Sequence, residues 1–246
     1  MLVFVAIIVL PMVLIVRKSF FIRGFGNYLA VFEEGLMTNV VNSLIISLGT
    51  IFLDLCLIYP AAYGYSKFRF KGSRIMYYIT LIGMMVPSVV MLVPIMVMGK
   101  QLNLMNNLFG VVFPLSALTS PFMLLILKNA IDDHPMEIYE AAYVDGCSKF
   151  RMLFTIVIPM SKATLLVIIL FIFMDSWNEF LLPLALLRSP DKMTVTVIPM
   201  RFYEEFGADQ PKIFAASVLI VMPVVILYLC IQHYFEEGIT TGAVKG

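Results

Sequence analysis

The chain has 246 residues, 61% of them hydrophobic and only 13% charged, with a net charge of +1 and a mean hydropathy of +0.96. A soluble domain carries about 25% charged residues, so these side chains cannot cover a water-soluble globule, and the near-neutral charge gives no reason to expect nucleic acid as a partner. The apolar residues fall in runs of the length a bilayer-spanning helix requires, about 20 residues, which predicts an all-α, polytopic membrane protein with about six transmembrane helices in one domain over 1–246.

In chain order, the apolar runs predict spans near 2–16, 40–66, 75–98, 108–128, 163–187 and 213–235. The first, MLVFVAIIVLPMVLIV, lacks both the basic residues that precede a cleaved signal peptide and the small-residue site that follows one. It is shorter than a bilayer demands, so the natural chain is expected to begin upstream. Residues 17–39 carry Arg17, Lys18, Arg23, Glu33 and Glu34, and 67–74 read KFRFKGSR, four basic residues without an acid. Residues 99–107 form a short polar turn, and 188–212 a longer loop of mixed charge. Lys and Arg concentrate in cytoplasmic loops, which places 67–74 in the cytoplasm and, with six spans, both termini there as well. The totals discriminate weakly, with nine Lys/Arg inside and eight outside.

Pro87, Pro94, Pro114, Pro121, Pro183 and Pro223 fall in the spans. Each removes a backbone donor and can kink its helix, although transmembrane helices carry extra proline in any case. The Met-rich third span (Met84, Met85, Met91, Met96, Met98) is expected to be adaptable packing. Cys56, Cys147 and Cys230 show no CxxC pairing, which argues against a disulfide framework or a zinc site. His134 and His233 have no metal-ligand companions at useful spacing.

The connection at 129–162, NAIDDHPMEIYEAAYVDGCSKFRMLFTIVIPMSK, is far longer than the 2–8 residues that commonly join packed helices. Pro135 can open a short helix at its first position with Glu137 in its first turn. Met136, Tyr139 and Tyr143 recur on one face, and Gly146 can end the helix in a left-handed conformation. Ser148 is a candidate N-cap for a second short helix, with Phe150, Leu153, Phe154 and Val157 at the spacing of one apolar face. Such helices could lie on the membrane surface, pack under the bundle or dock into another protein.

Glu140-Ala141-Ala142, three residues, Gly146, nine residues, then Ile156-Val157-Ile158-Pro159 resembles the EAA loop of bacterial ABC importer permeases, with Ile158 where that family more often has leucine. Asn42-Ser43-Leu44, the YGYSKFRFKG turn, SWNEFLLPL at 176–184 and the tail GITTGAVKG at 238–246 resemble carbohydrate importer permeases of the maltose-permease G type.

The resemblance implies that 129–162 is a cytoplasmic coupling-helix loop that seats in a partner ATPase, with Glu140, Ala141, Ala142, Asp145, Gly146, Ile156 and Pro159 as the coupling residues. Glu140 would make a polar contact, Ala141 and Ala142 would permit close approach, and Gly146 would allow the turn. It also implies a bacterial inner-membrane location, a second, different permease chain, cytoplasmic ABC ATPase subunits and an extracellular sugar-binding protein, all around a chain embedded in membrane lipid. The sequence contains no G-x-x-x-x-G-K-[ST] phosphate loop, so no enzymatic role and no cofactor is expected on this chain. ATP and Mg would be held by the partner.

Three acids, Asp54, Asp175 and Glu179, fall inside predicted spans, where a charge is costly and usually faces a cavity or a partner. Asp54 is expected to be buried against neighbouring helices. Asp175 and Glu179 are four apart and so share one helical face, beside Trp177, Asn178 and Phe180. Rings to stack on and acceptors for hydroxyls suit a sugar, so these five are candidates for a substrate path; the rival role is a helix end or a subunit seal. A secondary transporter or channel without an ATPase is the alternative function, although no inverted repeat of the kind such transporters carry is visible. A membrane scaffold would leave the proline-rich spans unexplained.

Overall fold

The computed structural model describes the backbone of residues 2–68, 70–204 and 207–243, and the side chains of these except 2–6, 8, 204, 231 and 233–243. Arg69, the side chain of His233 and the end of the tail motif, 244–246, therefore lie outside the described residues. Helices dominate: α1 Leu2–Ser19, α2 Gly26–Glu33, α3 Leu36–Lys67, α4 Ser73–Ile82, α5 Ser88–Gln101, α6 Phe109–Asp132, α7 Met136–Val144, α8 Lys149–Met152, α9 Ile158–Met160, α10 Lys162–Asn178, α11 Leu181–Leu186 and α12 Gln210–Ala243. The expected 188–212 loop contains two 3₁₀ segments, Pro190–Lys192 and Val195–Phe202, and a minimal antiparallel pairing of Tyr203–Glu204 with Gly207–Ala208. Helix is the expected solution in hydrocarbon, because only there does a segment satisfy all of its own backbone groups.

Leu36–Lys67, Phe109–Asp132 and Gln210–Cys230 are long and apolar enough to cross a membrane unbroken. Two bent helix pairs, Ser73–Met85 with Ser88–Gln101 and Lys149–Met160 with Lys162–Asn178, reach that length and hydropathy only when taken together. The predicted span at 75–98, where Pro87 and Pro94 could kink the helix, is sharply broken: α4, with the 3₁₀ turn Gly83–Met85 that extends it, meets α5 at 101°. The cause is local. Val86 precedes a proline, a position where the helical region is disfavoured, and it is extended (φ −89°, ψ 117°). The predicted span 163–187 also differs, since α10 stops at Asn178 and Glu179 is extended (φ −64°, ψ 128°) before α11. At its other end α10 meets the preceding short helices at 82°. Pro60, Pro94, Pro114, Pro121 and Pro223 all lie within continuous helices, so proline alone did not decide where the spans break.

The centre of the fold is the crossing of α3 and α6. Asp54, fully buried, accepts hydrogen bonds from Ser116 and from the hydroxyls of Thr119 (2.6 Å) and Ser120 (2.8 Å) on α6. The helices approach closely at Gly49, where an added Cβ would stand 3.2 Å from Val112 Cγ2. Small residues at such crossings let backbones come near enough for dispersion to hold helices together where lipid supplies no hydrophobic drive. Three apolar clusters flank this crossing. One, around Ile58, Leu127, Tyr139, Val157 and Ile168, joins the end of α3 to the 129–162 segment. A second, around Val31, Trp177, Ile198 and Ala215, lies toward the opposite end, and a third gathers Ile46, Val111, Leu182 and Leu186. By contrast α4 buries no residue and α5 only Gly99; the methionines at 84, 85 and 98 are exposed, so they do not pack inside this chain.

Gly49→Leu is expected to overpack the α3–α6 crossing and destabilise the fold by about 1–3 kcal/mol, read as a lower apparent Tm in detergent; an unchanged Tm would show that the crossing has slack.

Candidate functional site

The 129–162 segment folds from its own capping signals. α6 runs on to Asp132, past the predicted end of its span, with Lys128 and Asp132 paired one turn apart. Pro135 stands at the N-cap of α7 (φ −54°, ψ 132°) rather than at its first helical position, and Glu137 lies in the first turn as expected. At the other end Gly146 is left-handed (φ 76°). Its N–H bonds the Tyr143 carbonyl at 3.0 Å and the Cys147 N–H bonds that of Ala142 at 2.9 Å, the Schellman pattern that closes a helix C-terminus. Ser148 caps α8 by accepting from the Arg151 N–H.

The second predicted helix differs from expectation. Between α8 and α9 the chain makes a π-helical turn over Leu153–Val157, which adds a residue to the turn and shifts the face. Met152, Leu153 and Val157 are buried, whereas Phe150 and Phe154 point outward and meet edge to face at 5.1 Å. The single face expected from Phe150, Leu153, Phe154 and Val157 is therefore split in two.

One side of α7 is anchored. Tyr139 is buried; its hydroxyl is 2.8 Å from His134 Nδ1, and Lys67 Nζ lies 4.8 Å above its ring while bonding the His134 carbonyl at 3.0 Å. His134 Nε2 reaches the Ser161 hydroxyl at 3.5 Å. Burial, with the aid of Tyr63 and Tyr59, pushes the Tyr139 hydroxyl up to about 12, and burial followed by the Lys67 charge lowers His134. The other side of α7 faces outward. Glu140, Ala141, Asp145 and Gly146 are exposed, Ala142 is half-buried, and Tyr143 and Val144 are 70% and 84% exposed. Ile156 is half-buried and Pro159 exposed, on the second short helix. A groove of about 420 Å³ runs beside this face, lined in part by Glu140, Tyr143, Val144 and Lys149. Tyr63, Lys67 and Tyr139 were not legible as one cluster, because α3 contributes to it from outside the loop.

The second candidate region lies at the break between α10 and α11. A pocket of about 410 Å³ is lined by Ser88 at the start of α5, by Thr119 and Phe122 of α6, and by Asp175, Asn178 and Glu179. The expected common helical face of Asp175 and Glu179 does not exist, because the helix ends between them, yet both reach this pocket. Glu179 also caps α11, its Oε1 accepting from the Leu182 N–H at 2.9 Å. Trp177 is not part of it: at 1% exposure it stacks on Phe173 and donates Nε1–H to the Ile220 carbonyl at 2.9 Å, so it ties α10 to α12. Phe180 is half-buried and does not line the pocket. Ser88 was missed by the sequence reading, and the Val-Pro-Ser break was the signal that could have found it. Among the described residues no group of His, Cys, Asp or Glu could hold a metal ion.

With this geometry in hand, comparison with known proteins is informative. The family described as "Binding-protein-dependent transport system inner membrane component" matches residues 55–241. The arabinooligosaccharides transport system permease protein AraQ of Bacillus subtilis is 32% identical over 227 residues, 92% of this chain and 80% of the relative. The diacetylchitobiose uptake system permease protein NgcG of Streptomyces coelicolor is 27% identical over 256 residues, 97% of this chain and 85% of that one. Among solved structures, a bacterial ABC transporter involved in the import of the acidic polysaccharide alginate superposes with a TM-score of 0.76 at 25% identity, covering 86% of this chain and 79% of its own.

Because the fold holds His134 below its ordinary 6.5, its contribution to stability is complete above that value and is lost as pH falls through the lowered one. Between about pH 7.5 and about pH 5.5 the native chain is expected to lose more apparent Tm than a His134→Gln variant; equal losses would exclude this histidine as the source.

Proposed function

This chain belongs to the binding-protein-dependent transport system inner membrane component family, and on that premise we propose that it is the permease subunit of an ATP-driven ABC importer for a sugar or oligosaccharide. As a permease it is a non-enzymatic membrane subunit. ATP and Mg would be bound and hydrolysed on partner ATPase subunits. A second, different permease chain would complete the path, and an extracytoplasmic binding protein would deliver the solute. The relatives named for arabinooligosaccharide transport and diacetylchitobiose uptake support a carbohydrate as the solute.

The observation that carries the reading is the two-sided character of α7. Tyr139 is fastened to the bundle while Glu140, Ala141, Tyr143 and Val144 project away from it. Two alanines let a partner's backbone approach, and exposed Tyr143 and Val144 supply apolar area to bury against it. The Schellman closure at Gly146 and the Tyr139 anchor make the projection stiff, which a lever needs if closure of the ATPase is to displace it. Lys67 bonds the His134 carbonyl, so the basic turn and α7 lie at one end of the bundle. The positive-inside tendency of that turn supports a cytoplasmic face there and, with it, cytoplasmic termini.

The pocket at the α10–α11 break suits passage of a polyhydroxylated solute. Asp175 and Glu179 offer acceptors, and Ser88 and Asn178 offer donors. Phe122 and Leu118 provide apolar surface for a sugar ring. Access along this route would open and close by movement of helices around it.

Glu140→Lys and Gly146→Pro are expected to lose the ATPase, or its coupling to uptake, on mild detergent extraction. Proline cannot adopt φ 76° and has no N–H for the Tyr143 carbonyl. If no ATPase accompanies the native chain and uptake persists in ATP-depleted vesicles, the importer reading fails. Asn178→Ala should raise the KM of uptake about tenfold, the value of one or two hydrogen bonds, without dissociating the complex; an unchanged KM would remove this pocket from the path.

A further inference from the structure

One helix touches both ends of the molecule through side chains that are committed to specific partners. At the α7 end, α3 presents Tyr59, Tyr63 and Lys67 four residues apart on one stripe. Each holds a different part of the 134–157 segment. Tyr59 Oη donates to the Val157 carbonyl at 3.4 Å in the π-helical turn. Tyr63 Oη reaches Met152 Sδ at 3.6 Å on α8, and its ring stacks on Tyr139 of α7 at 6.2 Å. Lys67 bonds the His134 carbonyl and covers the Tyr139 ring.

At the opposite end the same helix presents Asn39, Asn42 and Ser43 to the irregular segment after α11. Asn39 Nδ2 donates to the Thr194 carbonyl at 3.0 Å, and Asn42 Nδ2 to the carbonyls of Asp191 (2.8 Å) and Met193 (3.0 Å). The Val195 N–H donates to Ser43 Oγ at 2.9 Å. The start of the same segment is held by Asn106, whose Oδ1 accepts from the Arg188 and Ser189 N–H groups. A loop read from sequence as one of mixed charge is therefore held by three asparagines, two on α3 and Asn106.

Between these ends α3 is one unbroken helix of 32 residues, about 48 Å at 1.5 Å per residue, and it is riveted to α6 at Asp54. The covalent alternatives are compliant by comparison. The short helices of the loop meet α10 at an 82° bend, and α10 stops before the clamped segment, with Glu179 extended.

We propose, resting on the permease reading, that α3 riveted to α6 is the mechanical link between the ATPase-coupling loop and the opposite surface of the protein. Tyr59, Tyr63 and Lys67 are its positioning residues at one end, and Asn39, Asn42 and Ser43 at the other. A displacement of α7 moves the 188–195 segment through this rod, and docking of a solute-loaded binding protein on that surface acts back on the ATPase by the same route, since coupling between two sites is reciprocal.

The test uses the complete transporter in lipid nanodiscs, with ATP hydrolysis measured with and without solute-loaded binding protein. Lys67→Met and Asn42→Ala are expected to retain the ATPase subunits and basal hydrolysis, while stimulation by the binding protein falls about fivefold or more. Lys67→Arg, which keeps the donor and the cation, should restore most of it. The double variant should lose no more than either single one, because a rod cut twice transmits no less than a rod cut once; additive losses belong to independent sites. Should Asn42→Ala fail to assemble, Ser43→Ala removes the Val195 contact from the same end. Full stimulation in the variants, or additive losses, would overturn the link while leaving the importer reading intact. Absence of any ATPase from the native complex would instead sink that reading, and the link with it.

Discussion

Asp54 sits on α3 where the chain crosses α6, fully buried, with Ser116, Thr119 and Ser120 bonded to its carboxyl. A carboxyl in hydrocarbon is costly by several kcal/mol unless it is surrounded by donors, so the pairing is close to obligatory once α3 enters the membrane. It fixes the rotation of both helices, and Gly49 against Val112 fixes their distance. The other contacts are arranged around this pair. The end of α3 carries the residues that hold α7, its start carries those that hold 191–195, and the middle of α6 lends Thr119 to the pocket at the α10–α11 break.

The fold divides into parts that are stiff by construction and parts that are interrupted. α7 is stiff because both of its ends are closed, by Pro135 and by Gly146, and because its inner face is nailed by Tyr139. The interruptions at Pro87, Ser161 and Glu179 lie off the central pair, at the start of α5 and at the two ends of α10. Two of the three, at Pro87 and Glu179, border the pocket that contains Ser88, Asp175 and Asn178. Unwound backbone at membrane depth is tolerated where it is buried in protein or lines a cavity, so a polar pocket at a helix break is physically consistent with its surroundings. The exposed apolar faces of α4 and α5 are equally consistent with hydrocarbon or a partner helix as their solvent.

Some of the candidate residues changed meaning once their neighbours were known. Trp177 reads from sequence as a sugar platform beside two acids, but its indole N–H is spent on the Ile220 carbonyl and its ring on Phe173. Glu179 keeps its place at the pocket while also capping α11. His134, which looked like an isolated histidine, stands between Tyr139 and Ser161. In each case the residue type was informative about cost, because a buried polar group must find a partner, and silent about which partner it finds.

The sequence by itself determined that this chain is helical and membrane-embedded, because sustained apolar runs leave the backbone no other way to satisfy its polar groups. It also determined where the long polar connection lies and how α7 closes, since Pro135, Gly146 and Ser148 act through the conformations of their own residues and immediate neighbours. The tertiary structure alone decided the rest. The turn at Leu153–Val157 became π-helical while Met152, Leu153 and Val157 were buried, whatever the periodicity of Phe150 and Phe154 implied. Among the prolines in the spans, only the one preceded by an extended Val86 stands at a sharp break. Tyr59, Tyr63 and Lys67 acquired a common purpose only when the loop folded back onto α3. These outcomes depend on contacts between residues about 70 to 100 positions apart, which local pattern does not encode.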